Sequence, residues 1–136
     1  MSERAIALTG GDAAYFDLMR DCIASLRACP EGRELALGVL DCGLTDEQRA
    51  WCRAQGGELV VPQWDFDFPG RAALKDGYKA LTARPFLPRY FPGFDFYFWI
   101  DADCWVQQGD AVALFLRAAH TGALAVAPEI QRAMRP

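Results

Sequence analysis

Asp101-Ala102-Asp103 stands at the end of the apolar run Phe96-Tyr97-Phe98-Trp99-Ile100. Residues two apart on a strand point to the same side, so the spacing predicts two carboxylates leaving one strand end as a pair. Two close anions repel in a low-dielectric setting unless a cation or a proton sits between them. Hard oxygen ligands suit Mg²⁺ or Mn²⁺, which keep open positions for phosphate oxygens. The plain alternative is two solvated carboxylates at a strand end. The apolar run favours the metal, because it reads as a strand buried on both faces, as in parallel sheets. Ligands of such sheets bind beyond the carboxyl ends of the strands.

Asp65-Phe66-Asp67 repeats the spacing without the setting. Pro62 separates it from the Val60-Val61 strand and Pro69 follows closely, so loop carboxylates are the expectation there. His120 is the only histidine and falls near the end of an expected helix, where a charged ring complements the dipole; a structural or exposed role is expected. The five cysteines, Cys22, Cys29, Cys42, Cys52 and Cys104, are odd in number and lack C-x-x-C spacing. They form neither a zinc pattern nor a disulfide framework and read as small buried thiols of a reducing cytosol. Cys104 and Trp105, just after the acidic pair, are expected to pack.

The elements that must position these groups alternate. Ala5–Thr9 is an expected strand broken by Gly10-Gly11, with Asp12 as N-cap of a helix whose Tyr15, Leu18, Met19, Cys22, Ile23 and Leu26 recur at helical spacing. Pro30 and Gly32 are expected to close it. Glu34–Leu40 is a second strand, and Thr45-Asp46-Glu47-Gln48 has capping-box form ahead of a helix ending at Gly56-Gly57. Glu58–Val61 is a third strand. Ala72–Ala83 is expected to be helical in part, weakened by Gly77, and Pro85, Pro88 and Pro92 prevent one continuous helix beyond it. The fourth strand runs into the Asp pair. Asp110 is expected to cap a helix ended by Gly122, and Leu124–Ala127 is a fifth strand before a polar tail, Glu129–Pro136. Alternation of this kind argues for an α/β fold, a mostly parallel sheet flanked by helices.

The chain has 136 residues, 52% hydrophobic and 24% charged, which suits one folded α/β domain over 1–136. A formal net charge of −4 with no Lys/Arg cluster argues against a nucleic-acid surface. Met1-Ser2-Glu3-Arg4 leads straight into a strand, and no apolar stretch is long enough to span a bilayer, so the expectation is a cytoplasmic protein without a transmembrane segment.

The stretch from Lys79 through Arg84-Pro85, Pro88 and Phe91-Pro92-Gly93 to Asp95, followed by FYFWIDADCWVQ, resembles the donor-binding segment of glycosyltransferases with the Rossmann-like GT-A fold, most of all the family 8 type. The resemblance runs from Ala5 to about Glu129 and is densest over Arg84–Gln107. It implies a nucleotide-diphosphate sugar, a UDP-sugar, as donor and a glycan, protein or lipid-linked acceptor. It implies a divalent metal, Mn²⁺ ahead of Mg²⁺. Carried over by position, Asp101 contacts the ribose and the metal, Asp103 ligates the metal, and Ala102 lies between them. Arg84 matches a basic residue that contacts the donor, and Arg84 and Asp101 are the catalytic pair implied. A guanidinium can fork its hydrogen bonds onto phosphate or sugar oxygens; a surface ion pair is the plain alternative. Lys79 is a further donor contact, against a default of an exposed helical lysine.

Thr9-Gly10-Gly11-Asp12-Ala13-Ala14-Tyr15 matches the family's nucleotide-base site loosely. Thr9 and Gly10 would line it, Asp12 would accept from the uracil N–H and Tyr15 would stack on the ring. An N-cap for Asp12 and a core position for Tyr15 are the competing readings. The family's third metal ligand, a histidine in a lysine-containing motif, has no counterpart here, and the acceptor pocket is expected to be missing. Two alternatives stay open: a haloacid-dehalogenase-like phosphatase with Asp101 as nucleophile, and a non-catalytic nucleotide-binding or interaction domain. Trp105, where phosphatases of that kind carry Thr or Val, counts against the first.

Overall fold

The computed structural model describes residues 3–122 and 124–127. Four strands, β1 (Ala5–Gly11), β2 (Ala36–Asp41), β3 (Gly57–Val60) and β4 (Phe96–Trp99), form one parallel sheet in the order β3-β2-β1-β4. The helices are α1 (Phe16–Ala28), α2 (Pro30–Glu34), α3 (Asp46–Ala54), α4 (Lys79–Ala83), α5 (Leu87–Tyr90) and α6 (Gly109–Ala119). The α/β architecture expected from the alternation of elements is the one observed.

Period-two alternation divides β1 between two cores. Ala7 joins Met19, Cys22, Ile23 and Leu26 of α1, together with Leu37 and Val39 of β2 and Val112 of α6. Ile6 and Leu8 face the other way, onto Ala80, Ala83, Leu87 and Phe91. Phe91 is fully buried and lies across β2 at Gly38, where a Cβ would stand 2.9 Å from its ring and 2.8 Å from Leu8. Glycine leaves the room that the aromatic ring needs to pack this close to the strand.

Several local expectations hold and several shift. The capping box of α3 is present, with Gln48 N donating to Thr45 Oγ1 at 3.3 Å and Thr45 N to Gln48 Oε1 at 2.9 Å. Pro30 does not simply close α1; it opens α2 in the first turn, where its missing N–H costs nothing. Arg71–Tyr90 is a string of single turns rather than a helix, in which Pro85 and Pro88 each start a new short segment. Gln108, not Asp110, caps α6, and Asp110 lies in its first turn. His120 caps the C-terminus of α6 and its Nε2 lies 2.6 Å from Glu3 Oε2, a structural role as expected.

Two strand expectations are corrected. β4 is half-buried rather than enclosed on both faces, because it pairs with β1 alone and stands at the sheet edge among the described residues. Leu124–Ala127 is not a strand; Leu124 is 88% exposed. Alanine is depleted in strands, and a strand needs a ladder partner. The tail expected over Glu129–Pro136 lies outside the described residues. Among those residues no helix is long and apolar enough to cross a membrane.

Candidate functional site

In the order β3-β2-β1-β4 the chain steps outward from β1 to β3 and then returns to the far side of β1. The sheet therefore reverses its winding direction between β1 and β4, and a crevice opens at the carboxyl ends of strands flanking such a reversal. A cavity of about 500 Å³ lies there. Its walls come from the exit of β1 (Gly10, Gly11, Asp12, Ala14, Tyr15), the exit of β4 (Trp99, Asp101, Ala102, Asp103) and the segment Lys75–Arg84.

The Asp pair reaches this cavity by a route other than strand parity. β4 ends at Trp99; Ile100 N still donates to Leu8 O at 2.8 Å, and then a turn begins, closed by Cys104 N on Asp101 O at 2.9 Å. The buried Ala102 anchors the turn in the core, leaving the two carboxylates to border the cavity. Asp101 Oδ1 accepts from Trp99 Nε1 at 2.8 Å and from Arg84 Nη2. The Arg84 guanidinium also lies over the Trp99 ring, 4.8 Å from its centroid. Arg84 is thus at once an ion-pair partner and a cavity residue, and its buried Nε has no acceptor. Asp103 is exposed, and no ion pair engages it among the described residues.

Below the turn, Cys22 Sγ lies 3.6 Å from Asp101 O. Burial, and then the negative groups Cys104, Asp103 and Asp101, push the Cys22 thiol up to about 12. It stays protonated and inert, as do the buried Cys42 and Cys52, both pushed by burial to about 11. All five cysteines are free. Cys104 and Trp105 do not pack as expected; both are exposed, Trp105 at 65%. The turn spends its buried position on Ala102 and sends the next residues outward.

Asp12 caps the single turn Ala13–Tyr15 ahead of α1 rather than α1 itself, whose N-cap position is Tyr15. Its Oδ1 accepts from Ala14 N at 3.0 Å and Tyr15 N at 3.2 Å, which leaves Oδ2 toward the cavity. Tyr15 is exposed at 55%, so it is no core residue, and its ring borders the cavity. Two expected residues do not arrive. Thr9 shares the parity of Ala7, so its side chain points into the α1 side of the sheet, where it is buried with Oγ1 unpartnered. Lys79 pairs with Asp76 at 2.9 Å, outside the cavity lining. Lys75, Gly77, Tyr78, Leu81 and Trp99 line it instead. The signal for them was Gly77, which breaks the expected helix into single turns.

Asp101 and Asp103 offer hard oxygen ligands, one with its second oxygen open and the other without a partner. That donor set fits a small divalent cation completing its shell with phosphate oxygens and water. No cluster of three or more His, Cys, Asp or Glu surrounds a common point among the described residues.

The fold these elements and this crevice define is the GT-A type of α/β fold. Structures sharing it include the galactosyltransferase LgtC in complex with donor and acceptor sugar analogues and an active-site mutant of LgtC. Each superposes with a TM-score of 0.61 at 20% identity, over 80% of this chain and 41% of LgtC. This chain spans about two fifths of the length of LgtC. No family model and no curated protein matches the chain.

Proposed function

We propose that this chain is the donor-binding part of a metal-dependent glycosyltransferase that takes a nucleotide-diphosphate sugar, a UDP-sugar. The observation that carries the reading is the convergence, in one crevice at the reversal of the sheet, of Asp101 and Asp103, Arg84, Asp12 and Tyr15. Asp101 and Asp103 would hold Mn²⁺ or Mg²⁺. When bound, that ion neutralises charge on a diphosphate. Arg84, already placed over the Trp99 ring, can turn its remaining N–H groups to phosphate or sugar oxygens. Asp12 Oδ2 can accept the ring N–H of uracil, and Tyr15 offers a stacking face. Transfer of a glycosyl group leaves negative charge on the departing diphosphate, and cations fixed beforehand stabilise it more in the transition state than in the ground state.

A phosphatase would need Asp101 as nucleophile. Nothing else at the site favours such a reaction.

Calorimetric titration with UDP and UDP-sugars, with Mn²⁺ and then with a chelator, tests the proposal. Binding is expected with the metal and is expected to be lost in the chelator. Equal affinity in both conditions sinks the metal bridge, and no binding in either sinks the donor-site reading.

A further inference from the structure

Tyr15, from the exit of β1, and Tyr78, from the segment Lys75–Arg84, both line the cavity at the end of β1 and β4. The rings are 55% and 47% exposed, and neither packs on another aromatic ring among the described residues. Phe16 and Trp51, by contrast, pack ring on ring at 5.7 Å, as do Phe98 and Phe115 at 5.5 Å. Both tyrosines leave backbone that is already fixed. Tyr15 ends the single turn Ala13–Tyr15, with its N–H on Asp12 Oδ1. Tyr78 ends the turn Asp76–Tyr78, with its N–H on Lys75 O at 3.1 Å. The two segments meet beside Asp12: a Cβ on Gly77 would stand 3.1 Å from Asp12 Oδ2, tight enough to shift the carboxylate by a few tenths of an ångström.

We propose that Tyr78 is the second face of an aromatic clamp, holding the nucleobase between its ring and that of Tyr15, and that Gly77 sets the width of the slot. The inference rests on the nucleotide-sugar reading and adds the residues that would grip the base. A flat heteroaromatic ring is the ligand that two unengaged aromatic faces over one polar floor accommodate. Rings carried on pinned turns lose little freedom when they close on it. Stacking of this kind is indifferent to which base is held, so the clamp supplies affinity for a nucleotide and the floor supplies the choice among bases.

The test compares UDP with inorganic pyrophosphate, both titrated in Mn²⁺, because pyrophosphate offers the phosphates without a base. Tyr78→Ala is expected to weaken UDP about 5- to 100-fold and to leave pyrophosphate unchanged. Tyr78→Phe, which keeps the ring, is expected to hold UDP within about twofold of the native chain. Tyr78→Leu keeps apolar bulk without a π-face and is expected to follow Tyr78→Ala; it decides the matter should the alanine variant fold poorly. Gly77→Ala is expected to weaken UDP more than pyrophosphate. Unchanged UDP affinity in folded Tyr78→Ala and Tyr78→Leu overturns the clamp and leaves the donor-site reading standing. Equal losses for UDP and pyrophosphate overturn it too, since they would show Tyr78 acting on the site as a whole. A native chain that binds neither removes both.

Discussion

Two Asp-x-Asp triplets occur in this chain, and the structure treats them in opposite ways. Asp65 is buried to 1% of its side chain, pinned by Arg89 and by Tyr90 Oη at 2.9 Å, and that same hydroxyl accepts from Gln63 N at 3.1 Å. Asp67 is tied to Arg71 at 3.2 Å. Both carboxylates serve to hold one irregular loop together. Asp101 keeps one oxygen open, and Asp103 faces the crevice. Spacing does not separate the pairs; the strand each one follows does. Asp65 comes after β3, at the far edge of the sheet, once Pro62 has turned the chain away. Asp101 comes after β4, which lies in register beside β1, so it leaves the sheet where the winding direction reverses. A carboxylate pair keeps oxygens free for a ligand when few neighbours engage it, and becomes loop scaffolding when neighbours reach it first.

The strongest attempt to break that contrast removes one acid from each pair. Asp103→Ala is expected to lower Mn²⁺-dependent UDP affinity at least about 100-fold while leaving the melting temperature near its native value, because the side chain is exposed. Asp67→Ala, an exposed acid of the same spacing, is expected to leave UDP binding unchanged. Similar losses from both substitutions, read by calorimetry, would erase the distinction.

Asp65 sharpens it from the side of stability. Asp65→Ala strips Arg89 and Tyr90 of a shared acceptor, and is expected to cost about 1–3 kcal/mol in urea denaturation. Nucleotide affinity is expected to hold. A third strand-end acid, Asp41, behaves as Asp65 does. Burial alone would raise its pKa, but Arg49 and the N–H groups of Leu44 and Gly43 outweigh that and hold it below the ordinary carboxylate range. A carboxyl depressed in the folded state stabilises the fold above its unfolded pKa and loses that contribution as pH falls through the folded one. Stability is therefore expected to drop below about pH 4. In Asp41→Asn this acid-dependent part is expected to be reduced, which urea denaturation at pH 6 and pH 3 measures.

Much of this arrangement was legible in the residues. The capping box at Thr45 stands where the pattern put it, and Arg84, Asp101 and Asp103 border one crevice. What escaped depended on facts a linear pattern does not carry. Thr9 is the next residue along from Leu8, and alternation alone turns it inward; the glycines after it obscured where the strand ended. Lys79 came from the resemblance alone, and a string of single turns around Gly77 brings Lys75 and Tyr78 to the crevice in its place. The aromatic run of β4 reads as an interior strand because its side chains are apolar. Its partial exposure reflects which neighbours it has, which is a property of the whole sheet. Asp101 and Asp103 were expected to share a side through strand parity, yet a turn delivers them to the same cavity.

The finest test lies inside the working pair. Trp99 donates its indole N–H to Asp101 Oδ1 while its ring supports the Arg84 guanidinium, so one side chain orients both the acid and the base of the site. Asp65 has a neutral donor as well, Tyr90, and its arginine also lies over rings, Phe86 at 4.7 Å and Tyr90 at 5.5 Å, but both of its oxygens are engaged, one by Arg89 and one by Tyr90. If Asp101 is kept open by design of its surroundings, removing only the N–H should let its carboxylate rotate and pair more fully with Arg84, and that pairing competes with a metal. Trp99→Phe deletes the donor and keeps a ring beneath the guanidinium. It is expected to weaken Mn²⁺-dependent UDP binding about 3- to 10-fold, with little change in stability. Arg84→Lys in the same background tests the competition directly: a point charge without the planar fork pairs less firmly with the carboxylate, so part of the metal dependence is expected to return. No effect of Trp99→Phe on affinity would mean that the indole N–H merely occupies the acid, and that Asp103 alone sets the contrast between the two triplets.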